Sequence, residues 1–299
     1  MGGQISVINN HYLVPILNNI FGSFFEKYHP SFNNQDLVEN NIIGYGRNGN
    51  IYKYKNLITG QDVAVKFLPL RKGLNDLEFM MRCASINPEF VVEVKEFFIE
   101  FQDTEVVLIL VMEYIEGGDL FNKISNSSKV PPTILTEIET KNIINQTARF
   151  LEGLHRNNIN YGDLKAENIL IKDGLIKVVD FEAPQPNSGI LNMTGSPSYF
   201  SPSEAKILLT RKYMSYDKKS SDMWALGILM YFLLFGVYPF KGLVYRTLFM
   251  NICNVNIIIP NEPNVSPDAN YIITNLLKKD PNHRMTASQL LNSNWIKNI

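Results

Sequence analysis

The stretch Tyr161-Gly162-Asp163-Leu164-Lys165-Ala166-Glu167-Asn168, with Val179-Asp180-Phe181-Glu182 following it, decides how the whole chain is read. It supplies an Asp, a Lys, an Asn and a second Asp at the spacings that phosphoryl transfer from ATP requires. Such transfer asks a protein for little covalent chemistry. It asks for charged and polar groups held in place.

The surrounding composition sets the limits. The chain has 299 residues, 45% hydrophobic and 19% charged, enough for two lobes or one large domain with a well-buried core. A formal net charge of −1 gives no general attraction to nucleic acid or to an anionic membrane. Cys83 and Cys253, the two cysteines, are far apart and form no C-x-x-C arrangement. That argues against a disulfide framework or a zinc site and fits a reducing compartment. No run reaches the roughly 18–20 apolar residues of a transmembrane helix. Met223 to Phe235 is the longest candidate and reads as a core helix. No basic segment followed by an apolar run marks a secretory signal.

Upstream of the opening stretch the pattern is β-rich. From Leu37 to Leu68 it reads strand, glycine turn, strand, turn at Thr59-Gly60, strand. A short helix is expected around Asn75 to Ala84, followed by Pro88 and strands near 91–100 and 106–113. Gly117-Gly118 marks the crossing to a helical region. There, Thr136 to Asn157 sets Ile138, Ile143, Ile144, Ala148, Leu151 and Leu154 on one broad face. Asn126 to Pro132 reads as the loop before it. Further helices are expected at about 220–235, 243–253, 267–278 and 287–292.

Gly44-Tyr45-Gly46-Arg47-Asn48-Gly49-Asn50-Ile51 matches G-x-G-x-x-G-x-V with Ile for Val. Gly44, Gly46 and Gly49 would let a hairpin bring its backbone N–H groups to the ATP phosphates with no Cβ in the way. Alone this signal is weak. Val63-Ala64-Val65-Lys66 follows at the right distance and makes it strong.

Taken together, residues 37 to 297 resemble a eukaryotic-type protein kinase domain. Gly117-Gly118-Asp119-Leu120-Phe121, Gly236-Val237-Tyr238-Pro239-Phe240 and Asn294-Trp295-Ile296 look most like the calcium/calmodulin-dependent kinase group. The fold implied is α+β and two-lobed, with an N-lobe over 38–115 and a larger helical C-lobe over 116–297. The N-lobe would be a small antiparallel sheet with one main helix, and residues 1–37 would precede it as an extension. By this resemblance Lys66 contacts the α- and β-phosphates, and Ile51, Ala64 and Leu170 line the adenine slot. Glu113 and Ile115 join the nucleotide-binding set at the lobe crossing. Asp163 accepts the substrate hydroxyl proton, Lys165 neutralises charge on the γ-phosphate, and Asn168 and Asp180 hold Mg2+, with Mn2+ as an alternative. Glu78 is expected to pair with Lys66, with Asp76 as the alternative. The short Lys66–Glu78 gap implies a truncated helix and linker. Arg82 falls where the family is usually apolar.

The family pattern is H-R-D-x-K-x-x-N and then D-F-G, so Tyr161, Gly162 and Glu182 are departures. Tyr161 can replace His as a packed ring. Gly162 lacks the Arg that pairs with a phosphorylated activation segment, so activity should not depend on that phosphorylation. Glu182 puts a side chain and a charge where the family has Gly. Gly195 to Glu204 resembles G-T-P-x-Y-x-A-P-E with a serine intruding before the glutamate. Ser196 is expected to hydrogen-bond the Asp163/Lys165 pair, Glu204 to pair with Arg284, and Asp222 to anchor the catalytic loop through backbone amides. Trp224 and Trp295 read as core.

Asp119 and Glu167 sit where related kinases read an arginine N-terminal to the target, while Phe232 replaces a further acid. A mild preference for a basic residue about three positions upstream follows. Asp119 has a second reading as a contact to the ATP ribose.

Met1-Gly2-Gly3-Gln4-Ile5-Ser6 fits M-G-x-x-x-[ST], which makes Gly2 a candidate for N-myristoylation. One acyl chain binds membranes only marginally, with K on the order of 10⁴ M⁻¹. The apolar residues from Tyr12 to Phe25 could supply a second signal or dock against the lobes.

The reading is a cytoplasmic, membrane-associated protein kinase acting on protein Ser/Thr hydroxyls with ATP and Mg2+, and with no nucleic-acid partner. No calmodulin-binding segment is expected after Trp295. The rival is a membrane-tethered pseudokinase scaffold that binds nucleotide and transfers nothing.

Overall fold

The computed structural model describes residues 42–46, 49–56, 59–102, 105–125, 134–183 and 196–297. Two compact units divide the chain, one ending at Met81 and resuming over Glu93–Tyr114, the other comprising Arg82–Val92 and everything from Ile115.

The first unit is an antiparallel sheet of β1 (Ile42–Gly46), β2 (Gly49–Lys55), β3 (Asp62–Pro69), β4 (Val94–Gln102) and β5 (Glu105–Glu113), in the order β1-β2-β3-β5-β4. β3 is central, with Lys66 opposite Ile51 on one side and Leu110 on the other. Val63, Val65, Ile109 and Val111 form the core on one face, with Tyr54, Phe67, Phe98 and Val107 packed against it. Because side chains alternate along a strand, Ala64, Lys66 and Leu68 share the opposite face.

Helix α1 (Leu70–Ile86) starts directly at the end of β3. It is 17 residues long, so the short spacing expected to truncate it has instead removed the linker. Its inward face carries Leu74, Asp76, Leu77, Phe79, Met80 and Cys83, all buried, whereas Glu78 and Arg82 are exposed.

The expected N-lobe boundary needs one correction. Residues 82–92 belong to the helical unit because hydrogen bonds tie them there. Asn87 Nδ2 donates to Phe150 O at 3.1 Å, Val92 N to Val178 O at 3.1 Å, and Val178 N to Phe90 O at 2.7 Å.

The second unit contains α2 (Leu120–Ser125), α3 (Glu137–Arg156), the hairpin β6 (Ile169–Lys172) and β7 (Leu175–Val178), then α4 (Pro202–Thr210), α5 (Lys218–Phe235), α6 (Tyr245–Asn254), α7 (Pro267–Leu276), α8 (Ala287–Leu291) and α9 (Asn294–Lys297). Thr136 opens α3 with a reciprocal capping box to Glu139. Ile143, Ile144, Ala148, Leu151 and Leu154 are buried as expected, but Ile138 is 80% exposed, because it lies in the first turn off the packed stripe. α5 is buried almost all round, as befits the expected core helix. Each fully buried Leu or Ile there contributes roughly 1.5–3 kcal/mol of transfer free energy. Trp224 and Trp295 are core, at 0% and 2% exposure. No helix among the described residues is long and apolar enough to cross a membrane.

Candidate active site

Two local devices build the polar group of the helical unit. The first is the β6–β7 hairpin, closed through Asp173 and Gly174, both with positive φ, as a two-residue turn requires. It returns the chain so that Val179 N donates to Asn168 O at 2.9 Å, which sets Asn168 beside Asp180. The second is Asp222 on α5, 2% exposed. Its Oδ1 accepts from Gly162 N at 2.8 Å and its Oδ2 from Tyr161 N at 2.9 Å. His155 Nε2 lies 2.9 Å from the same Oδ2. The expected anchoring of the loop by Asp222 is therefore seen. His155 was not foreseen, since nothing local in the sequence links the end of α3 to α5.

Between these anchors the polar groups converge. Lys165 Nζ donates to Asp163 Oδ2 at 2.8 Å, and Asn168 Nδ2 donates to Asp163 O at 2.9 Å and Oδ2 at 3.0 Å. Burial pushes the Asp163 carboxyl up to about 6 against the pull of Lys165, and Asp180 adds to the rise. Burial draws the Lys165 ammonium down, but Asp163 outweighs it and the net shift is upward. Lys165 is thus kept charged. Asp180 takes a left-handed backbone at φ 60, uncommon for a side-chain-bearing residue and typical of functional positions.

Tyr161 does more than pack. Its ring meets Phe150 and Phe181 edge-on at 5.6 and 5.4 Å between centroids. Its hydroxyl donates to Val179 O at 2.7 Å, with Asp180 O at 3.3 Å. The expected packed ring is present, and the hydroxyl joins the loop to the Asp180 backbone. Gly162 has φ 86, where a side chain would be strained, so glycine suits the position.

The donor set fits a hard divalent cation. Asn168 spends its amide nitrogen on Asp163, so its carbonyl oxygen and the Asp180 carboxylate are the groups that would hold such a cation. Among the described residues no three His, Cys, Asp or Glu side chains form a cluster that could hold a metal. Mg2+ is a cation of the hard kind that takes oxygen ligands, and it keeps water and substrate phosphate oxygens in its shell.

In the first unit, Gly49 has φ 126 and a Cβ there would lie 2.6 Å from Phe67 O, so only glycine fits. Lys66 is buried at 7% exposure, and Ala64 shares its face of β3. Glu113 is buried too, its Oε1 accepting from Glu93 N at 3.0 Å while its own N–H donates to Glu93 O at 2.9 Å. That carboxylate is engaged in fixing the strand end.

Ile115 is buried in the second unit. There Asp119 and Leu170 are brought together by a backbone bridge. Asp119 caps α2, accepting from Asn122 N at 2.7 Å and Asn122 Nδ2 at 2.8 Å, which occupies both its oxygens.

Several expectations are overturned. Glu78 is exposed, and it is Asp76 that lies on the buried face of α1. Glu204 makes no ion pair with Arg284 among the described residues. The intruding serine places Glu204 at the third position of α4, where it forms a capping box with Ser201. Arg284 instead donates to the carbonyls of Ser220, Lys278 and Lys279. The Ser196 side chain bonds neither Asp163 nor Lys165 among the described residues; its carbonyl accepts from Tyr199 N at 2.9 Å and closes a short helical turn. Tyr199 links that segment to the loop, its hydroxyl accepting from Ala166 N at 3.1 Å. Gly2, the apolar stretch 12–25, the loop 126–132 and Gly195 lie outside the described residues.

The first unit carries a buried strand-borne lysine, and the second an Asp–Lys–Asn group with an Asp of left-handed backbone; these are the residue types of a protein kinase. Comparison with known proteins agrees: the protein kinase domain family matches residues 37–296, and the chain belongs to it. A CDPK-related protein kinase of Daucus carota is 30% identical over 300 residues, covering 94% of this chain and 46% of that protein. Myosin light chain kinase 2 (skeletal/cardiac muscle) of Mus musculus is 33% identical over 207 residues, covering 66% of this chain and 32% of its own length. The chain thus spans less than half of these curated relatives. A crystal structure of Rad53 residues 1–466 in complex with AMP-PNP aligns with TM-score 0.68 and 28% identity, over 86% of this chain and 64% of that one.

Proposed function

We propose that the protein transfers the γ-phosphate of ATP to Ser/Thr hydroxyls of protein substrates, with Mg2+. The observation that carries this is the bonded group of Asp163, Lys165 and Asn168 set beside Asp180. Asp163 would orient the acceptor hydroxyl and take its proton as the oxygen–phosphorus bond forms and ADP leaves. Lys165 would hold the charge gathering on the transferred group. A CBL-interacting serine/threonine-protein kinase 15 of Arabidopsis thaliana among the relatives, 27% identical over 270 residues, and the AMP-PNP complex of the structural neighbour support the same reading.

Two features support activity without activation-segment phosphorylation: Gly162 carries no side chain to pair with a phosphate, and the loop is already anchored by Asp222. The purified chain is expected to phosphorylate a generic Ser/Thr substrate equally well before and after phosphatase treatment. Loss of activity on treatment, with a mapped phosphosite between Asp180 and Glu204, would refute independence. Nucleotide binding with no transfer at all would instead favour the pseudokinase reading, which Glu182 motivates.

The substrate reading rests on Glu167. Burial raises its carboxyl, its own backbone and Lys165 pull it down, and Asp119 adds to the rise. Its Oε2 is buried with no hydrogen-bond partner. A buried, unpaired carboxylate oxygen is costly, and a guanidinium from the substrate would satisfy it. A peptide array is expected to show preference for arginine about three residues upstream of the target, reduced in Glu167→Gln. Acidic or proline-directed preference would sink the idea. Membrane attachment through Gly2 rests on the amino-terminal pattern alone; intact mass after co-expression with an N-myristoyltransferase decides it.

A further inference from the structure

We propose that the loop over residues 241–246, which leads into α6, is a membrane-contact element that seats its apolar tip in the interface of an anionic bilayer. This surface lies wholly within the helical unit and stands apart from both the kinase reading and Gly2.

The loop reads Lys-Gly-Leu-Val-Tyr-Arg, an apolar triplet between two bases. Leu243 is 103% exposed, Val244 61% and Tyr245 67%, so three consecutive apolar side chains face solvent. Single exposed apolar residues are ordinary, whereas a contiguous group marks a contact surface. The loop is nonetheless firmly held. Asn251 Nδ2 donates to Lys241 O at 2.7 Å and ties the start of the loop to α6. A Cβ on Gly242 would collide with the backbone of Leu248, so the chain here lies directly on the first turn of that helix. The Tyr245 ring stacks on Phe249 at 6.1 Å between centroids, and Phe249 stacks on Phe200 at 5.9 Å, which roots the tip in the interior. A tip built in advance loses little conformational freedom on binding.

Charge selects the occupant. Lys241 and Arg246 flank the tip, and Lys206 on α4 acts electrostatically on Cys253 of α6. All three bases are exposed, and none is in an ion pair among the described residues. Over residues 205–260 the acids are Asp217 and Asp222 alone, and bases outnumber them. Asp217 is engaged at the start of α5, and Asp222 is buried against the amides of Tyr161 and Gly162. The stretch is therefore positive although the whole chain stands at −1.

An anionic bilayer offers both complements together: charged headgroups for the bases, and an apolar layer beneath them for the triplet. Tyrosine suits the boundary, with an apolar ring and a hydroxyl that stays among the headgroups. The tip stands clear of its own chain at Leu243, and a fluid interface accepts such a projection with no preformed pocket.

The test is flotation of the full, unacylated chain with lipid vesicles, which keeps its outcome separable from acylation at Gly2. The chain is expected to float with vesicles containing phosphatidylserine, far less with phosphatidylcholine alone, and to be released by salt. Leu243→Ser/Tyr245→Ser leaves the charge unchanged and is expected to weaken binding by about 10-fold or more. Lys241→Gln/Arg246→Gln should weaken binding to the anionic vesicles by roughly 5-fold per base and flatten the salt dependence. Ile138→Ser removes an exposed apolar side chain elsewhere in the unit and should change nothing. Phosphate transfer to a soluble peptide should be equal in all of these variants, which shows that each is folded. A wild-type chain that stays in the soluble fraction, or equal flotation of wild type and the Leu243/Tyr245 variant, would overturn the proposal. A wild-type dimer in solution that this variant makes monomeric, with no vesicle binding, would assign the tip to a second copy and overturn it too.

Discussion

Asp163→Asn is expected to lower phosphate transfer by roughly 10²- to 10⁴-fold, the usual share of a positioned proton acceptor, while the metal-free protein melts no lower than wild type. The two halves of this result have one cause. Asp163 is buried against Lys165 and Asn168, and burial lifts its carboxyl to about 6, well above the roughly 3.9 of an unfolded chain. The folded state therefore holds the extra proton between those values. The destabilising contribution of this carboxylate is absent below about pH 4 and complete above about pH 6, so stability from this group falls as pH rises through that window. An amide at the same position keeps an oxygen for Lys165 and Asn168 and abolishes the buried charge. Calorimetry of the nucleotide-free protein at pH 7 with a single-turnover assay checks both halves. Full activity in the variant would remove Asp163 from the reaction, and a marked fall in melting temperature would show that its charge supports the fold.

The second large effect is at Asp222. Asp222→Ala is expected to lower the melting temperature by roughly 5–15 °C and to abolish transfer in whatever fraction stays folded. The variant leaves the buried amide of Tyr161, the partly buried amide of Gly162 and one imidazole nitrogen of His155 without their acceptor. Each unsatisfied amide costs about 1–3 kcal/mol, against a total stability on the order of 5–15 kcal/mol. A core alanine replacement of ordinary size would spare the loop. Here the loop's own donors are the groups stranded, so activity should fall further than the folded fraction does. Equal losses of the two would argue that Asp222 is packing alone.

How much of this was legible follows from the range of each interaction. Asp163, Lys165, Asn168 and Asp180 lie in short patterns whose spacing is set by a loop and a hairpin; the structure bonds the first three to one another, and Asp180 acts on the charge of Asp163. The helices over 137–156 and 218–235 announced themselves through an apolar face and an apolar run. What failed depended on a third party. That Asp76 and not Glu78 lies on the buried face of α1 turns on where the helix starts, directly after β3, which the residue pattern does not mark. Glu204 was diverted from Arg284 because one inserted serine moved it to a capping position. Residues 82–92 went to the helical unit through bonds spanning 63 and 86 positions. The polar role of His155 was invisible for the same reason.

The site is also assembled from contacts of very different sequence separation. Asn168 and Asp180 are brought together by a hairpin that closes on itself, a local event with a small loop-closure cost. The amides of Tyr161 and Gly162 find Asp222 only across 61 and 60 positions, after α5 has entered the interior. Contacts of that span form late when topology governs the order of folding. A partly folded chain would already carry Asn168 and Asp180 in register, yet the loop at Tyr161 and Gly162 would still be unmoored. Competence for transfer is then among the last properties the chain acquires, and immature copies would be silent without any inhibitor.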